Sequence, residues 1–362
     1  SHKPYPLDTM SAQSLIDVVS AGGAQYNSSR EDHSIPYDFG DYGEEYETIC
    51  KRAGLHYSGH WGRLLFTGSD HIDFLHRMTT NHFLDIKDSF GLQAVFTEHR
   101  GRIVDWGTFH RKDQQILSIV SPTSHTKVRD WLNRFLFTEE VVISDLTEET
   151  SAFELLGPDA FGIAEECLSL SLESVQPYQS VPYPLAPDLW ITVLQPPWQG
   201  LRLVGSDETL IKYWHLFTEA GLPPAGERAW NIRRIELGYP LSDSELNQEH
   251  NPWEAGLAQA IHMNKGCYIG QEIIAKLDTY DKIKQHLVGI TCDANSPPDT
   301  GTILITEGKA VGAITSSVYS PKFGPIALAY VRRKYSKPDT VLKLAESSHR
   351  CRVQSLPFQK AC

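Results

Sequence analysis

A chain of 362 residues with 41% hydrophobic and 22% charged side chains has the composition of a soluble globular protein of two or three domains. No apolar run approaches the roughly 18 residues that cross a bilayer, so no membrane span is expected. A formal net charge of −12 disfavours nucleic acid as the main partner, because such binding rests on Lys and Arg neutralising phosphates.

The first forty-odd residues are polar and rich in turns. Within them, "SLIDVVSAGGAQY" predicts a short helix stopped by Gly22-Gly23, and "SSREDHSIPYDFGDYGEE" predicts extended loop. "GRLLFTG" predicts a strand. Ser69 then offers an N-cap for the helix "DHIDFLHRM", whose Ile72, Leu75 and Met78 share a face. "LQAVFT", "GRIVDWGTFHR" and "QILSIV" predict three strands; the middle one alternates Ile103, Asp105 and Gly107 against Val104, Trp106 and Thr108. "HTKVRDWLNRFL" is amphipathic, with Val128, Trp131, Leu132 and Phe135 on one side. "VVISDL" and "SAFELLG" predict strands, and "PDAFGIAEECL" a helix with Pro158 at its start. After a proline-rich passage come strands "ITVLQ" and "LRLVG" and helices "TLIKYWHLFTEAGL" and "GERAWNIRRIELG". Strands mixed with single helices indicate an α+β body. Beyond residues 286–290 the texture changes to short strands separated by turns, which predicts a small barrel or sandwich.

The six cysteines are Cys50, Cys167, Cys267, Cys292, Cys351 and Cys362. They form no CxxC pair and suggest no disulfide framework, so free thiols in a reducing compartment are expected. The same spacing argues against a resident zinc or iron–sulfur centre built from local ligands. His71, His76 and His82 are read as surface and packing residues. The chain begins Ser1-His2 with no hydrophobic signal core following, which argues against secretion and fits a trimmed precursor.

One cysteine sits in "NKGCYIGQEIIAKL", residues 264–277. Gly266 and Gly270 would free the backbone around Cys267 and let a ligand approach. "QEIIAKL" predicts a helix just downstream. Its positive end and nearby Lys265 would both favour a thiolate. A reactive thiol and a structural cysteine in a glycine-rich bend both fit these residues.

The run "KGCYIGQE" closely resembles the signature of the folate-binding YgfZ-type proteins, within the superfamily of the glycine-cleavage T-protein (aminomethyltransferase). "GRLLFTGSDHIDFLHRMTTN", "FTEHRGRIVDW" and "IRRIELGYPLSDSELNQEHNPWEAGL" resemble further family segments in the same order, so the likeness spans roughly residues 30 to 345. "IPYDFGD", "SGHWGR" and "TYDKIKQHLVGI" resemble the plastid and cyanobacterial branch. That implies a chloroplast protein with its transit peptide removed, the mitochondrial branch being the alternative.

The resemblance implies an α+β, three-lobed fold. Two interleaved lobes would surround a channel for tetrahydrofolate, and a C-terminal β-barrel would close it. Residues 1–44 would form an extension, 45–287 the folate-binding domain and 288–362 the barrel. By likeness to T-proteins, Asp105 would lie beside the reactive folate nitrogens and Glu236 of "RRIELG" would hold the pterin's donor edge. Met78 and Asn81 would line the channel, and Tyr268 and Gln271 of the signature would contact the cofactor. T-proteins usually carry two acids where this chain has Asp105 and Trp106, which weakens the case for aminomethyl transfer. The cysteine signature implies instead a tetrahydrofolate-dependent role in iron–sulfur cluster assembly or repair, with Cys267 and Lys265 as reactive residues. Iron–sulfur client or assembly proteins would be the partners, and the protein would act as a monomer. A folate-dependent aminomethyltransferase is the alternative.

Overall fold

The computed structural model describes residues 13–27, 35–280, 282–345, 347 and 349–359. The Ser1-His2 start, Cys362 and residues 28–34 of the expected loop lie outside them.

The chain opens with α1 (Leu15–Ala21), held by a capping box: Ser14 Oγ accepts from Asp17 N, and the Asp17 carboxylate accepts from Ser14 N. Its apolar side, Leu15 and Val19, packs into the core of the second lobe. The expected loop gives way earlier than its composition suggests. α2 (Tyr42–Lys51) begins where the Asp41 carboxylate accepts from Gly43 N and Glu44 N at 3.0 and 3.1 Å. Tyr46 and Ile49 then face the interior.

β1 (Gly54–Tyr57) belongs to the second lobe, and the chain crosses directly into the first with β2 (Trp61–Thr67). There follow α3 (His71–Met78), β3 (Gly91–Thr97), β4 (Ile103–Lys112), β5 (Gln115–Pro122), α4 (His125–Asn133) and β6 (Val142–Asp145). Ser69 does not cap α3. Asp70 takes the cap position, and the Ser69 hydroxyl bonds the Asp70 and Glu140 carboxylates instead. The chain returns to the second lobe with β7 (Ser151–Leu156), α5 (Ala160–Leu168), β8 (Trp190–Val193), β9 (Gly200–Gly205) and α6 (Asp207–Glu219). The two sheets run β3-β4-β5-β2-β6 and β1-β7-β9-β8, so the lobes interleave in sequence.

α7 (Glu227–Leu237) lies beside α2 and the barrel. It stops at Gly238, whose φ of +73° is left-handed and whose missing side chain admits Leu356. α8 (Gln271–Thr279) leads to the barrel strands β10 (Gln285–Cys292), β11 (Ile303–Thr306), β12 (Lys309–Ser320), β13 (Gly324–Arg332), β14 (Val341–Leu344) and β15 (Arg350–Gln354). They close in the order β10-β13-β12-β11-β14-β15. Residue 287 falls inside β10, which straddles the expected domain boundary.

The expectation of free thiols fails at the barrel seam. Cys292 and Cys351 are direct cross-strand partners where β15 meets β10, and they are joined in a disulfide. Cys50, Cys167 and Cys267 are free. Among the described residues no helix is long and apolar enough to cross a membrane.

Between the two sheets a central core collects Trp61, Val95, Trp106, Trp190, Trp230 and Tyr239, with Tyr330 arriving from the barrel. A separate core behind the first sheet contains Phe66, Phe74, Met78, Phe96 and Phe109. β4 runs between these two cores and is buried on both faces from Ile103 to His110.

Candidate functional site

The cysteine-bearing loop is built on the end of α3. The last carbonyls of a helix have no partner within it. Lys265 supplies one such partner: its ammonium donates to the carbonyl of His76 in the last turn, and also to those of Thr79 (2.6 Å) and Asn81 (2.7 Å) just beyond it, and lies 4.7 Å from the Tyr268 ring centre. Ile269 N donates to Arg77 O, and Thr97 Oγ1 donates to Ile269 O. A cation is well placed at the negative end of the α3 dipole. Burial pushes the Lys265 ammonium down to about 7. The Lys265 ammonium is thus directed at backbone carbonyls.

Cys267 is exposed, so the sulfur is open to a second molecule. Of the two glycines, only Gly270 has a demanding conformation. Its φ is +84°, and a Cβ there would stand 2.6 Å from Glu98 O. Gly270 also occupies the N-cap position of α8. Tyr268 is held under Lys265, with burial pushing its hydroxyl up to about 12. Gln271 opens α8 and donates to Lys265 O at 3.4 Å. Of the nearby histidines, His71 and His76 are buried and pack in the interior.

A cavity lies elsewhere, where the three lobes meet. It measures about 480 Å³, within the range of small-molecule sites. The first lobe contributes Gln93 and Trp106, the second Pro197, the end of α7 Tyr239, and the barrel Leu287 and Leu356. Trp106 and Tyr239 form an aromatic corner with ring centres 4.9 Å apart at 55°. Among the described residues, the side chains that line the cavity include carboxamides and hydroxyls but no charged group.

Few of the residues expected from the sequence reach this cavity. Asp105 is fully buried beside it, but its carboxylate accepts from Ser121 Oγ at 2.7 Å and Ser121 N at 3.2 Å. Burial pushes its pKa up to about 6 against the pull of those bonds. The adjacent Trp106 faces the cavity instead. Both faces of β4 are buried, so alternation placed the two side chains on opposite sides without deciding which side is the hollow. Glu236 also lies away from the lining of this cavity. Its carboxylate accepts from Tyr46 Oη (2.7 Å), Ser320 Oγ (2.6 Å) and Arg233 (3.0 Å), which ties α7 to α2 and to the barrel. Met78 is packed in the core behind the first sheet. Cys267, Tyr268 and Gln271 do not line the cavity.

Asn81 does not line the cavity either, but it connects the two regions. Its carbonyl accepts from Lys265 and its Nδ2 donates to the carbonyl of Gln93, both at 2.7 Å. A hydrogen-bonded path thus runs from the cysteine loop to the cavity wall. Gln93, Trp106 and Tyr239 escaped selection as ligand-facing residues. The tryptophan in place of a second acid was the one sequence signal for them.

Residues 15–265 match the GCVT N-terminal domain, and residues 285–360 match the glycine cleavage T-protein C-terminal barrel domain. The chain is 30% identical over 348 residues to an Arabidopsis thaliana protein that carries the name of a chloroplastic transferase, covering 95% of this chain and 78% of that one. It is 28% identical over 305 residues to an aminomethyltransferase of Chloroherpeton thalassium, covering 82% and 84% of the two chains. The crystal structure of the glycine cleavage system aminomethyltransferase T from Bartonella henselae superposes with a TM-score of 0.86, over 96% of this chain and 97% of that one. At 19% identity the last likeness speaks to the fold. With both domains matched in order along its length, the chain belongs to the glycine cleavage T-protein family.

Proposed function

We propose that this protein binds tetrahydrofolate in the three-lobed cavity and assists iron–sulfur cluster assembly or repair, presenting Cys267 to a client or assembly protein. The observation that carries this reading is the uncharged, aromatic-walled cavity. Trp106 and Tyr239 provide flat apolar walls for a pterin ring, and Gln93, Gln259 and Gln354 provide amide donors and acceptors. The residues present fit a pterin head. Among the described residues no carboxylate lines the cavity to position or deprotonate an amine, which favours an accessory role over aminomethyl transfer. When bound, the folate would supply one-carbon chemistry; the protein's part is to enclose its ring and exclude water. The exposed thiol and the Lys265–Asn81–Gln93 path support a working connection between cofactor and loop. The protein is placed in the chloroplast, with the mitochondrion as alternative, and acts as a monomer.

Calorimetric titration with tetrahydrofolate under nitrogen tests the first half. Saturable one-to-one binding is expected, and absence of binding overturns the premise. For the second half, Cys267→Ala is expected to bind folate normally yet fail to restore iron–sulfur enzyme activity in depleted cells. Full restoration would remove the thiol from the scheme. The names of the relatives favour a second reading, a folate-dependent aminomethyltransferase. That reading requires the purified protein to form methylenetetrahydrofolate from tetrahydrofolate and an aminomethyl donor.

A further inference from the structure

Gln93 lies on β3 opposite Thr108 of β4, and Val95 lies opposite Trp106. Side chains alternate across a strand, so Gln93 shares its face with Val95, which packs with Trp106 in the central core. That face opens on the cavity, which both Gln93 and Trp106 line. Gln93 is only 9% exposed. Its backbone carbonyl accepts from Asn81, but among the described residues its side-chain carboxamide has no hydrogen-bond partner. Neither polar atom of that carboxamide is sealed in the interior, so both are reachable from the cavity. An unpaired amide donor and acceptor thus stand at the wall of a hollow whose described lining residues carry no charge.

We infer that Gln93 recognises the edge of a planar, uncharged heterocycle by two parallel hydrogen bonds to a cis-amide N–H and C=O. In a pterin this is the N3–H and O4 edge, so the inference rests on the folate reading and adds to it the residue that orients the ring. A carboxylate has only acceptors and selects an edge with two donors, whereas a carboxamide offers one of each. The cavity therefore reads a different edge of the ring from the one a buried acid would read. Since no cation lines the cavity among the described residues, recognition rests on the ring system, and the anionic glutamyl tail adds little.

The test is calorimetric titration of the full chain with 6-methyltetrahydropterin and with tetrahydrofolate, in wild type, Gln93→Leu and the near-isosteric Gln93→Glu. Thermal unfolding establishes that each variant is folded. Wild type is expected to bind both probes, the tail-less one within about tenfold of the other. Gln93→Leu is expected to lose ~10-fold or more for both. Gln93→Glu should lose at least as much, because a second acceptor faces the ring carbonyl. Unchanged affinity in a folded Gln93→Leu overturns the inference while leaving folate binding intact. Tighter binding by Gln93→Glu overturns it too, since the residue would then face a two-donor edge. If wild type binds neither probe, the folate reading falls and takes this inference with it.

Discussion

Asp105→Asn separates a ligand-facing acid from a buried structural one. The carboxyl is fully buried, and burial raises its pKa from 3.8 to about 6. Between those values the folded protein holds a proton that the unfolded chain has released. The contribution of this group to stability therefore falls as pH rises from about 4 to about 6. About two pH units correspond to ~3 kcal/mol. The asparagine variant carries no such titration. Its amide keeps one acceptor for the Ser121 hydroxyl but sets an N–H against Ser121 N, so it starts at a disadvantage in acid. The stability difference, variant minus wild type, should then move in the variant's favour by ~3 kcal/mol from about pH 4 to pH 7. Urea unfolding across that range measures it, and the subtraction cancels all other titrating groups. Tetrahydrofolate affinity at neutral pH should be unchanged. A flat difference would refute the burial argument, and lost folate binding in a folded variant would return Asp105 to the ligand.

Lys265→Met should destabilise the protein by ~2–4 kcal/mol, because the carbonyls of His76, Thr79 and Asn81 lose their donor. Alkylation of Cys267 by iodoacetamide in the same variant should proceed at nearly the wild-type rate; a large fall would place the ammonium at the sulfur. Glu236→Ala should cost ~3 kcal/mol by thermal unfolding, since Tyr46, Ser320 and Arg233 all lose their acceptor, and should leave folate affinity intact. Cys351→Ser should lower the oxidised protein's stability by up to ~4 kcal/mol, the loop-entropy value for a 59-residue separation, and wild type in reductant should match it.

The barrel was legible because its signal is local: six short apolar runs divided by turns became six strands in order. α3 and α4 were legible from the spacing of Leu75 and Met78 and of Val128, Trp131 and Leu132. α2 was hidden by its polar, glycine-containing first turn, although Asp41 at its start is a good cap. The Cys292–Cys351 pairing was not legible, because only closure of the barrel brings together residues 59 apart. The carbonyl contacts of Lys265 were not legible, because they lie at and just beyond the end of α3, almost two hundred residues earlier in the chain. Glu236 misled because the residues that claim it, Tyr46 and Ser320, are distant in the chain. The site was thus legible as a family resemblance and as an exposed cysteine, but not as a set of cavity-facing side chains.

The hollow that Trp106, Pro197, Tyr239 and Leu356 share belongs to no single lobe. A molecule seated there acts as a rivet among three lobes. At a hundredfold excess over its dissociation constant it would add ~2.7 kcal/mol to their assembly without strengthening any one of them. Amide-exchange protection on loading should consequently appear at the seams, around Leu287 and Leu356, while the interior of each sheet exchanges as before.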